Sequence, residues 1–139
     1  MDKFTADDVY ELGNLFRDAA IALGDWRIKN RDGLSRMQWE ELDEREITLL
    51  NTASSICTSA VGLILEDSQA TRARLESSVK SAKSAMHRIA IFKQALDLAS
   101  ALVLLAGAVT SGNVAVIPAA IVALEDAVAA IVDLEDSGA

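Results

Sequence analysis

The chain has 139 residues, of which 24 are Ala, one is Cys, one is His and one is Pro, and its formal net charge is −8. That length suits one domain, and 51% hydrophobic residues suffice to bury a core. One His and one Cys exclude a zinc site built from several such ligands, and the acidic balance argues against nucleic acid as a partner.

The N-terminus, Met1-Asp2-Lys3-Phe4, turns acidic at once, without the apolar stretch of a signal peptide. The cytoplasm is the default expectation, with leaderless secretion open. Thr5 with Asp8 resembles a capping box, and Phe4 with Val9 its hydrophobic staple. The first helix is expected over about 6–23. Val9, Leu12, Phe16, Ala19 and Leu23 recur on one face of it, and Gly24 is its expected end. Residues 24–34 read as a linker, with Asp32-Gly33 as a turn. Trp26, Arg27, Lys29 and Arg31 form a basic patch in that linker.

Ser35 and Gln38 make a second capping box, stapled by Leu34 and Trp39. It opens a helix expected over about 36–66, with Leu49, Ala53, Ile56, Ala60 and Leu63 in register. A third helix is expected over about 69–110, along Leu75, Val79, Ala82, Met86 and Ile89. The polar run Glu66-Asp67-Ser68-Gln69 is either a turn between two helices or part of one continuous helix; a turn is favoured. The last helix, about 117–134, repeats Ile117, Ile121, Leu124, Val128 and Ile131, with Pro118 in its first turn. The expected fold is a single all-α domain, an antiparallel helical bundle. Its two long central helices would form a coiled-coil-like stalk, and its C-terminal part an apolar helical hairpin.

Candidate chemistry is sparse. Glu40, Glu41, Asp43, Glu44 and Glu46 crowd one first turn, where the helix dipole favours carboxylates, and Glu41 is placed to pair with Arg45. Glu40 and Glu44 resemble half of a carboxylate metal site. The single His87 has no carboxylate three or four residues away to complete it. No nucleophile–base arrangement, phosphate loop or cofactor motif is present, so the expectation is a non-enzymatic protein without metal or cofactor. Cys57 reads as a small buried hydrophobe.

Two surfaces stand out. Arg72, Arg74, Lys80, Lys83 and Arg88 form a basic stripe, a candidate docking face for an acidic partner. Residues 98–124 carry no charge, and Thr110 to Asn113 and Pro118 break them into two apolar helices too short to span a bilayer singly. Leu98, Leu102, Leu105 and Val109, with the small-residue row Ala119, Ala123 and Ala127, are the candidate oligomer or membrane surface. Two functions follow as expectations. One is a homo-oligomeric protein-interaction module, dimeric or higher. The other is a membrane-active protein whose hairpin inserts, a layout that resembles α-helical pore-forming proteins without sharing a motif.

Overall fold

The computed structural model describes residues 6–58, 69–111 and 115–137. They form five α-helices: α1 (Ala6–Lys29), α2 (Arg36–Thr58), α3 (Gln69–Ala85), α4 (Phe92–Ser111) and α5 (Ile117–Ser137). Short 3-10 turns follow α1 at Arg31–Gly33 and α3 at Met86–Arg88. The protein is all-helical, with no strand among the described residues. The Thr5 cap with its Phe4 staple, the expected turn residues Glu66-Asp67-Ser68, the Cys57 and Arg72 side chains and the Gly112-Asn113 turn lie outside the described residues.

The periodic apolar positions form the core. Val9, Leu12, Phe16, Ala19 and Leu23 of α1 are buried against Leu49, Ala53 and Ile56 of α2 and against Leu75, Val79 and Ala82 of α3. Ile117, Ile121, Leu124 and Ile131 of α5 complete it, while Val128 is half-buried. Helix α2 starts as its residues dictate. The Gln38 backbone N–H donates to Ser35 Oγ (3.1 Å), and the Ser35 N–H donates to Gln38 Oε1 (2.9 Å). This reciprocal box satisfies two backbone donors that a helix start otherwise leaves to solvent.

Helix α1 does not stop at Gly24; it runs five residues further, to Lys29. A mid-helix glycine costs about 1 kcal/mol relative to alanine, and tertiary packing outweighs it here. Trp26 and Arg27, expected in a linker, are buried on the face of α1 that meets α2 and the segment after α3. The chain turns only at Asn30, whose Nδ2 donates to the Trp26 carbonyl at 2.8 Å.

The helix expected over 69–110 is broken at residues 86–91. Ile89 is extended (φ −65°, ψ 126°), and its carbonyl accepts a hydrogen bond from Trp26 Nε1 at 3.1 Å. The Ala90 N–H donates to Gln94 Oε1 (2.9 Å), and the Ile91 carbonyl accepts the first bond of α4 from Ala95. No Gly or Pro marks this break; a partner 63 residues away and a glutamine cap hold it.

Helix α1 packs on α2 and α3, α2 also on α4, α4 on α5, and α5 back on α3. The helices therefore close a ring around the core. Among the described residues α2 and α3 share no extended seam, because both lie against α1. The tip of the expected two-helix stalk falls on residues 59–68, outside the described ones. Breaking the third helix allows its second half to fold back between α2 and α5.

Candidate functional site

A polar cluster joins α1 to α2. Arg27 is only 7% exposed. Its Nη1 lies 3.1 Å from Asp43 Oδ1, its Nη2 donates to Glu46 Oε1 at 2.8 Å, and its guanidinium carbon stands 4.3 Å from the centre of the Trp39 ring. A planar cation between two carboxylates and an aromatic face is a geometry that Arg fills and Lys does not. Two of the five clustered acidic residues are thus bound to one buried cation, and Glu40 pairs with Arg36 across one helical turn (3.1 Å). Asp43 and Glu46 thus clamp α2 to α1 through Arg27. Among the described residues no three His, Cys, Asp or Glu side chains come together as a metal-binding group.

The basic stripe runs along α3 and into the 3-10 turn that follows it. Arg74 makes a two-pronged contact with Glu125 of α5, Nη2 to Oε1 at 2.6 Å and Nε to Oε2 at 3.1 Å. Ser78 Oγ bonds back to the Arg74 carbonyl at 2.7 Å and touches the same carboxylate at 3.5 Å. The Arg74 hydrogen bond holds the Glu125 carboxyl below its ordinary value, against a smaller opposing effect of burial. Lys83 reaches Asp18 of α1 at 3.7 Å. Lys80 and Arg88 are exposed and line a shallow concavity of about 640 Å³ on the outer face of α3, with Ser77, Ser81 and Ser84 between them.

A second concavity, about 450 Å³, lies between the end of α1 and the 3-10 turn after α3, where exposed His87 borders Trp26, Asp25 and Lys29. A third, about 200 Å³, separates α3 from α5 and is lined by Ser77, Ser78, Ser81, Glu125, Val128, Ala129 and Val132.

Leu98, Leu102, Leu105 and Val109 are fully buried in the chain's own core. They present no surface while this fold is intact, because α2 and α5 cover them. Ala119 is exposed, and Ala123 and Ala127 are half-buried. Among the described residues, the large apolar side chains that face outward on these two helices are Leu104 (52% exposed) and Val122 (43%). Leu104 falls opposite the row 98, 102, 105, 109 when each residue advances 100° around the helix. Its position was therefore in the sequence, but which face the fold would cover was not.

Such a site defines the class of protein as an all-helical one with a polar clamp and open grooves between helices. Comparisons with protein-family models, with curated proteins and with solved structures give no match for this chain.

Proposed function

We propose that the chain is a non-enzymatic helical interaction module, an antiparallel bundle that associates with copies of itself. The observation that carries this reading is the outer face of α5. Over residues 117–132 its exposed positions are Pro118, Ala119, Val122, Asp126, Ala129 and Ala130, with one charge among six. Faces of this kind gain by covering apolar surface, at about 25 cal/mol per Å², and their small side chains allow close approach of a second helix.

Sedimentation of the full chain at concentrations up to about 100 μM tests this reading. It expects a mass that is a multiple of 14.8 kDa. A strict monomer throughout that range overturns it.

A second reading, a membrane-active protein, rests on α4, whose 20 residues are long and apolar enough to cross a bilayer. It requires Leu98, Leu102, Leu105 and Val109 to leave the core and meet lipid instead. Flotation with liposomes, with and without anionic lipid, at pH 5 to 8 distinguishes it. Binding in that range supports insertion, and its absence at every pH overturns it.

A further inference from the structure

Helices α3 and α5 are neighbours of opposite charge. Helix α3 carries Arg72, Arg74, Lys80 and Lys83 against the single acid Glu76, whereas α5 carries five acids and no base. Of the five helices, α3 alone has a net positive charge. The Arg74–Glu125 contact satisfies one charge of each helix within the chain. Lys80 and Asp126 remain exposed on the two outer faces, and neither makes an ion pair among the described residues. The groove of about 200 Å³ between the two helices has Ser77, Ser81, Val128 and Ala129 on its walls.

We infer that this α3/α5 face is the self-association surface, occupied by the same face of a second copy. The inference rests on the oligomeric reading above and deepens it. At net −8 two copies repel over most of their surfaces, so a stable contact needs a basic region on one to meet an acidic region on the other. A two-fold axis parallel to the helices places α3 of each copy on α5 of the other. An axis across the helices in the same face sets α3 on α3 and α5 on α5, with like charges opposed. The first arrangement repeats the Lys80–Asp126 attraction twice, as an isologous interface requires. The short side chains along the groove let the four helices pack closely.

Charge exchange tests the geometry in the full chain, with circular dichroism confirming the fold of each variant. Lys80→Glu and Asp126→Lys each weaken dimerisation about tenfold, because a symmetric dimer loses two attractions and gains two repulsions. The double variant Lys80→Glu/Asp126→Lys restores dimerisation to within about threefold of the original, since the opposite charges again face each other. Ala129→Trp fills the groove and weakens the dimer independently of charge, while Leu104→Glu on α4 leaves it intact. A dimer indifferent to the charge variants and to Ala129→Trp overturns this surface and leaves self-association standing. Dissociation by Leu104→Glu alone moves the interface to α4 and also overturns it. A monomeric wild-type chain overturns both readings.

Discussion

The carboxylate of Glu46 occupies the space beside Gly24 that a side chain would need: a Cβ at residue 24 would lie 2.7 Å from Glu46 Oε1. The same oxygen accepts the hydrogen bond from Arg27, so the glycine makes room for the clamp between α1 and α2. Gly24 therefore marks a close approach inside a helix, where its sequence position alone suggests a helix end.

Two effects compete in Gly24→Ala. Helix propensity favours alanine by about 1 kcal/mol. Displacing Glu46 from Arg27 costs about 1.5–3 kcal/mol, the range for a hydrogen bond to a charged group. The expected result is a net loss of about 1 kcal/mol by urea denaturation. In a Glu46→Ala background the same substitution is expected to stabilise by about 1 kcal/mol. A stabilising Gly24→Ala in the wild-type chain contradicts this account.

Arg27→Ala leaves Glu46, with 19% of its side chain exposed, without its cation, and also removes the contact with Trp39. A loss of about 2–4 kcal/mol is expected, since an orphaned, mostly buried charge costs more than the pair contributes. Arg27→Lys keeps the charge but not the planar fork, and recovers only part of that loss. Thermal melts of the two variants rank them; equal melting temperatures for Arg27→Lys and the wild type count against the planar geometry.

Trp26→Phe retains most of the ring burial and deletes the Nε1 donor to the Ile89 carbonyl. The expected cost is about 1–3 kcal/mol, the penalty for leaving a buried carbonyl unsatisfied. Hydrogen exchange should rise most at residues 89–95, where α4 begins. Uniform exchange along the chain would show that the break does not depend on this bond.

Glu125 titrates below its ordinary value of 4.5 because Arg74 stabilises the carboxylate. A depressed folded-state value means the contribution is fully present above about pH 4.5 and is lost as pH falls through the lower value. The stability difference between the wild type and Glu125→Gln is therefore expected at neutral pH and to shrink towards pH 3. A difference unchanged from pH 7 to pH 3 is the contrary result. Arg74→Met should abolish the pH dependence of that difference.

Leu102 and Leu104 separate core from surface on one helix. Leu102→Ala should cost about 2–5 kcal/mol, as for other fully buried leucines, whereas Leu104→Ser should change stability by less than about 0.5 kcal/mol. Similar costs for both would place Leu104 in a packed environment.

Helix content and the inward-facing rows were legible in the sequence, because 3.6-residue periodicity and a reciprocal cap act over a few neighbouring residues. Val9 to Leu23, Leu75 to Ala82 and the Ser35–Gln38 box all lie where their spacing puts them. What local patterning does not contain is the partner. Gly24 reads as a stop until Glu46 is brought beside it, and Arg27 reads as a linker charge until two carboxylates and Trp39 enclose it. The bend at Ile89 has no turn residue and exists because Trp26 donates to it from another helix. The uncharged 98–124 segment specified two apolar helices, and only the ring of neighbours decided that Leu102 faces the core while Leu104 faces out. Short-range order follows from propensity and spacing; burial of one face and exposure of the other follow from which helices pack together, and that is a property of the whole chain.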